Sequence, residues 1–214
     1  MTSKITIEYI DHMGTDMSVV NAARVSMGKS KTGAVDEADI KLIKYLVKHN
    51  HWTPFCHATV TIRSYVPIFL ERQLFKHQIG VSNNSVSFRY VTPKNEFYVP
   101  DILRKGAPSI KQGSLLEPVD SHEKALELFQ HSCRQSFERY EELLAMGVCK
   151  EQARAILPLS TMTEYVTTAS LAALARIYKQ RSDPHAQKEA QEYADLLKNL
   201  VEPLFPVSWG ELIK

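Results

Sequence analysis

The chain has 214 residues, 44% of them hydrophobic and 23% charged, with a formal net charge of +2. A chain of this length buries a core without metal or disulfide support. A charge this small gives no argument for general affinity for DNA or RNA, so any anion site must come from local clustering of cations. Three cysteines, Cys56, Cys133 and Cys149, are too few and too scattered for a disulfide framework. The N-terminus carries no apolar run, and no segment approaches the roughly 20 apolar residues of a membrane span. The sequence therefore reads as cytoplasmic, with no membrane partner.

"KITIEYI" (4–10) alternates with period two and predicts a strand. "DMSVVNAARVSM" (16–27) predicts a short helix, "GKSKTG" (28–33) a loop, and 36–49 a helix through Ile40, Ile43, Leu46 and Val47. "HATVTIRSYV" (57–66) is alternating and β-branched, a strand. A helix is expected from Pro67 to His77, with Gly80 as its stop. Residues 82–90 read as a polar loop and 101–118, with two prolines and two glycines, as a long functional or mobile one. The longest helix opens at Ser121, carries Leu126, Phe129, Cys133, Phe137, Tyr140 and Leu144 on one face, and ends at Gly147. A short helix to Leu157 is stopped by Pro158. Two more are expected near 164–181 and 184–203, and a Ser208/Glu211 capping box predicts a last one. No repeat or linker interrupts the chain. The expectation is α+β: one domain over 1–214, with an early antiparallel or mixed sheet and a mostly helical C-terminal half.

The polar side of the 67–77 helix brings Arg72, Gln73, Lys76 and His77 together by four-residue spacing. The chain continues into Ser82, Asn83, Asn84, Ser85, Ser87 and Arg89. Cations with hydroxyl and amide donors suit a phosphorylated, hydrogen-bonding ligand; an ordinary solvated face explains them equally well. Arg154 before a proline stop and Arg181 in a last helical turn fit the helix dipole, or else a bidentate grip on phosphate or a planar heterocycle. His49, His51 and His57 fit no standard zinc spacing, so no metal is expected. The Trp, Phe and His residues around Pro54 suit a packed corner or a wall for a flat cofactor. No nucleotide-loop or nucleophile-elbow motif occurs, and Cys56, Cys133 and Cys149 do not form a covalent constellation. Phe88 and Tyr90 beside the cations allow stacking on single-stranded nucleic acid, which the near-neutral charge opposes.

Taken in order, "NAARVS" (21–26), "HNHWTPFCH" (49–57), "PIFLERQLFKH" (67–77), "SFRYV" (87–91), "EFYVP" (96–100), "EQARAILPLS" (151–160) and "RSDPHAQKEAQEYA" (181–194) resemble the flavin-dependent thymidylate synthases, including phage-like branches, across nearly the whole chain. The family's Arg-His-Arg, seven or eight residues, then Ser, here reads Lys76-His77-Gln78 and Ser87. Gln78 replaces a cation, Ser85 a usual glutamate, and Cys56 another. The resemblance implies that Gln73, Lys76, Ser85, Ser87, Arg89, Arg154 and Arg181 bind dUMP. Ser87 and Arg89 hold the phosphate, with Arg154 adding charge, and Arg181 activates the uracil at N3. It implies that Ser26, His51, Thr53, Lys76, His77, Gln78, Ile79, Ser170 and Arg176 surround FAD and folate. The implied reaction takes 5,10-methylenetetrahydrofolate and NADPH and yields dTMP, in a homotetramer with sites between subunits. The departures at Gln78 and Ser85 leave open a relative acting on dCMP or UMP, or transferring a hydroxymethyl group.

Overall fold

The computed structural model describes residues 3–107 and 113–214. Four strands form one antiparallel sheet in the order β1-β2-β4-β3: β1 (Thr6–Met13), β2 (Thr59–Pro67), β3 (Val81–Ser85) and β4 (Met162–Ser170). In the central pair, Val60, Ile62, Ser64 and Val66 stand opposite Ala169, Thr167, Tyr165 and Thr163. These eight side chains share one face by the period-two rule, and all are buried. The other face shows Thr61 against Thr168, whose hydroxyls lie 2.9 Å apart. α1 (Asp16–Arg24), α2 (Glu37–Lys48) and α3 (Ile68–Leu74) come from the first half; α4 (His122–Ala145), α5 (Lys150–Ala153), α6 (Leu171–Arg181), α7 (Lys188–Val201) and α8 (Pro206–Leu212) come from the second. Leu171, Leu174, Ile177, Leu197, Phe205 and Trp209 pack with the inner sheet face in one core. Fully burying each such side chain is worth about 1.5–3 kcal/mol. Among the described residues no helix is long and apolar enough to cross a membrane.

Several sequence expectations hold: β1, α1, α2, β2, the 28–33 loop and the long α4 all form as read. Others are corrected. Residues 164–170, expected to open a helix, belong to β4. Thr161, Thr163, Val166, Thr167 and Thr168 are β-branched and hold an extended backbone well. Helix α6 starts only at Leu171, capped by Ser170, whose Oγ accepts from Ala173 N at 3.2 Å. The second expected helix, 184–203, is the shorter α7. Residues 81–85 are not loop but the edge strand β3, held by its ladder with β4; polar side chains are tolerated there because the outer side is wet.

α3 ends at Leu74 rather than at His77, and Pro67 both closes β2 and stands at the N-cap of α3. The first α3 amides donate to Thr161 O and Leu159 O, both at 3.0 Å. The Ser208/Glu211 capping box does not form. Phe205 occupies the N-cap of α8, and Asp16 accepts from Val207 N and Ser208 N at 3.0 and 2.8 Å. Of the expected 101–118 loop, residues 108–112 lie outside the described residues; on its described part Arg104 pairs with Pro118 in an isolated bridge.

Candidate active site

Arg181 ends α6 and points at the turn that follows α3. Its Nε donates to His77 Nε2 at 3.0 Å, and a terminal nitrogen donates to the Gln73 carbonyl at 3.1 Å. An arginine nitrogen has only hydrogens to offer, so His77 Nε2 must accept and the ring proton sits on Nδ1. Burial, reinforced by the Arg181 and Arg176 guanidinium groups, lowers the His77 pKa to about 4. His77 is therefore neutral at physiological pH and serves to lock the guanidinium plane. The Gln73 side-chain amide donates to the Gln187 side chain. Gln73, Arg181, Arg104, Lys188 and Gln191 line a cavity of about 570 Å³, a size that suits a small ligand. Arg104 is held there by Ser114 Oγ at 2.8 Å and by both Glu189 oxygens at 3.2 Å.

A second group of candidates gathers on the arm that leaves β3. Ser87 Oγ accepts from Arg89 N and Arg89 Nε, both at 3.4 Å, and the turn closes through Tyr90 N to Ser87 O at 2.9 Å. The Arg89 guanidinium lies 5.1 Å over the Tyr90 ring and 4.0 Å from Glu151. Lys150 Nζ donates to Tyr90 O at 3.1 Å, and Arg154, exposed, donates to Glu151 O at 3.4 Å. The arm thus carries Ser87 and Arg89 and is tied to the α5 segment by Lys150 and Glu151, with the exposed Arg154 on that same segment. Among the described residues no hydrogen bond or ion pair joins it to the Arg181 set. The sequence brackets these residues as one site; in a single chain the two sets have separate hydrogen-bond partners.

The flavin and folate candidates divide as well. Arg176 donates to Ile79 O at 2.5 Å, and both line an open cleft of about 560 Å³ with Asn50, Trp52, Ala172 and Lys179. Gly80 makes the approach to α6 workable. Its φ is +73°, and a Cβ there would lie 2.8 Å from Ser170 Oγ. His51 stacks edge-on to Tyr45 at 5.9 Å, next to this wall. Thr53, Lys76 and Gln78 are exposed. Ser170 is buried and its hydroxyl caps α6, while Ser26 Oγ donates to Ala23 O at 2.9 Å on a separate turn. Neither lines either cavity. Ser85 does not present a free hydroxyl, because it donates to Glu71 Oε1 at 2.5 Å. Sequence reasoning missed Arg104, Gln187 and Lys188 as lining residues, and only the length of the 101–118 loop hinted at the first. Trp52 stands where the alternative reading of the Pro54 cluster, a cofactor wall, put it.

Fold and site together define a class: an α+β protein whose sheet and helices hold guanidinium groups at the walls of open cavities sized for nucleotide-like ligands. The comparisons with known proteins agree in sequence and in structure. The family profile described as "Thymidylate synthase complementing protein" matches residues 8–207. A flavin-dependent thymidylate synthase of Thermosipho africanus is 40% identical over 210 residues, covering 97% of this chain and 90% of that protein. One from Thermus thermophilus is 38% identical over 204 residues, covering 95% of this chain and 74% of that protein. The crystal structure of the UMP/dUMP methylase PolB from Streptomyces cacaoi, bound with 5-Br dUMP, superposes with a TM-score of 0.88 at 30% identity, covering 98% of this chain and 95% of that one. The chain belongs to the flavin-dependent thymidylate synthase family.

Proposed function

We propose that this protein is an FAD-dependent thymidylate synthase that methylates dUMP at C5 with a one-carbon unit from 5,10-methylenetetrahydrofolate. NADPH is the reductant, and dTMP and tetrahydrofolate are the products. The observation that carries the reading is the Arg181 fork, fixed by neutral His77 and the Gln73 carbonyl at the wall of a nucleotide-sized cavity. A guanidinium held against the uracil edge stabilises the charge that develops when N3 loses its proton, which makes C5 the nucleophile. Because two hydrogen bonds set its plane beforehand, Arg181 does not reorganise as that charge grows. No cysteine is required, and Cys133 is buried with its thiol pKa raised by desolvation. Gln73 orients the base; Ser87 and Arg89, with Arg154, hold the phosphate.

The residues of the second cleft fit a flavin. Trp52 and Ile79 offer apolar walls to a flat ring, and Arg176 and Lys179 offer charge to its phosphates. When bound and reduced by NADPH, the flavin (FADH2) would supply the hydride that converts the transferred carbon to a methyl group. The same reading has the chain act as one domain in a cytoplasmic homotetramer, with sites shared between subunits. The test is the visible spectrum of the purified, FAD-loaded protein with and without dUMP: flavin bands that shift on adding dUMP support cofactor and substrate together. Protein that cannot be loaded with FAD sinks the proposal. PolB is described as a UMP/dUMP methylase and is also solved with 5-Br UMP. UMP and dCMP are therefore run beside dUMP, and turnover of either without turnover of dUMP refutes the substrate assignment.

A further inference from the structure

We infer that Glu71 is a positioning residue that, through Ser85, fixes the arm carrying Ser87 and Arg89 against the helix carrying Gln73. What the arm holds rests on the nucleotide reading above; the clamp itself rests on geometry alone. Ser85 Oγ donates to Glu71 Oε1 at 2.5 Å. Glu71 lies on α3 two residues before Gln73, and Ser85 ends β3 two residues before Ser87. One side-chain bond therefore ties together the starting points of both candidate dUMP-binding segments. Immediately after it, Val86 N donates to Glu164 O at 2.8 Å, and the chain then leaves the sheet for the Ser87 turn.

The chemistry of Glu71 explains why the bond is directional. The carboxyl is half-buried, and among the described residues no Lys, Arg or His pairs with it. Desolvation raises its pKa above the ordinary glutamate value, and the Ser85 hydroxyl opposes that rise. A part-buried carboxylate with one hydroxyl donor gives up that donor only at a cost, because the alternative is an unsatisfied acceptor. Gln73 faces the cavity from the same short helix, so Glu71 holds α3 and the arm in one register without itself lining that cavity.

The experiment compares Glu71→Ala, Glu71→Gln, Ser85→Ala and the double variant Glu71→Ala/Ser85→Ala in the full-length, FAD-loaded protein. Binding of dUMP and of deoxyuridine, which lacks the phosphate, is read from the flavin spectrum. Amide hydrogen exchange is followed across residues 86–91. Glu71→Ala and Ser85→Ala each weaken dUMP about tenfold, the effect of one lost hydrogen bond, and leave deoxyuridine within about twofold. The double variant is no worse than either single one, because both remove the same bond. Glu71→Gln binds dUMP within about twofold of the unaltered protein, since its amide oxygen still accepts from Ser85. For Glu71→Ala the loss falls on KM and not on kcat. Additive losses, a Glu71→Gln variant as impaired as Glu71→Ala, or unchanged dUMP binding throughout would each overturn the inference. Should Glu71→Ala not fold, Ser85→Ala and Glu71→Gln decide it. Should the unaltered protein bind no dUMP, the functional reading fails, and exchange alone judges the clamp: faster exchange across 86–91 in Ser85→Ala upholds it and unchanged exchange refutes it.

Discussion

Replacing Arg181 with alanine removes two donors at once, from His77 Nε2 at 3.0 Å and from Gln73 O at 3.1 Å. Each acceptor left without a partner costs about 1–3 kcal/mol if buried. His77 is buried, but the vacated space opens to the cavity and admits water, so we expect a total near the low end, about 2 kcal/mol of stability. The catalytic loss is larger. Removing a pre-set donor from a developing oxyanion typically lowers the rate by about 10²–10³. Arg181→Lys keeps the charge but has one nitrogen where the fork has two, so it cannot satisfy both acceptors and still face the base. It should fall between the alanine variant and the unaltered protein. The assay is dTMP formation with FAD, NADPH and 5,10-methylenetetrahydrofolate, with kcat and KM for dUMP fitted separately and thermal melts run in parallel. Loss in kcat beyond the loss in stability identifies an interaction made in the transition state. An alanine variant that turns over within about threefold of the unaltered protein, about 0.7 kcal/mol in barrier, refutes the N3-activation role.

Protonation of His77 should weaken the fold as acid is added. Its folded pKa of about 4 lies below the ordinary 6.5. The unfolded chain therefore takes up a proton first, and stability falls as the pH drops from 6.5 towards 4. Since one pKa unit is worth about 1.4 kcal/mol, this site contributes at most about 3 kcal/mol of that fall. Urea melts between pH 7.5 and 4.5 check it: a His77→Asn variant should show a shallower decline, and an equal slope contradicts the assignment. Cys56→Ala, Cys133→Ala and Cys149→Ala should each keep turnover within about twofold, with only the buried Cys133 costing stability, about 1 kcal/mol. A cysteine variant without activity but with a native melt would bring back a covalent mechanism.

The sequence was most legible where one residue's own chemistry decides the outcome. Alternating Ile and Val residues set β2 without help from a neighbour, and the spacing of Cys133, Phe137 and Tyr140 marked the buried face of α4. β3 was hidden because its sequence, Val81 to Ser85, carries no apolar alternation; its pairing comes from β4, much later in the chain. β4 in turn was masked by the alanine- and leucine-rich start of α6, whose helical spacing runs straight on from it. In the site, residue types were readable and partners were not. Arg181 read locally as either a helix-dipole arginine or a ligand grip, and nothing in the sequence showed its contact with His77, 104 positions away. His77 looked like part of a helical face because nothing local shows that α3 stops at Leu74.

The division of the candidate dUMP residues into two sets within one chain carries its own prediction. The Arg181 set lines a cavity, while Ser87 and Arg89 share an exposed turn that meets the segment carrying Glu151 and Arg154. If a homotetramer completes each site, the arm of one subunit meets the cavity of another. Arg181→Ala and Arg89→Ala protein, each inactive alone, should then rescue one another when unfolded, mixed equally and reassembled. With random assembly a site draws its cavity from one chain and its arm from another, each intact half the time, so about one quarter of sites are whole. Recovery to about 25% of the unaltered activity is the expected result. If both sets serve the same site from the same chain, every site keeps one defect and mixing restores nothing. Failure to recover activity, with hybrid tetramers demonstrated by mass, therefore refutes the shared site and leaves the cavity to act with its own subunit's arm.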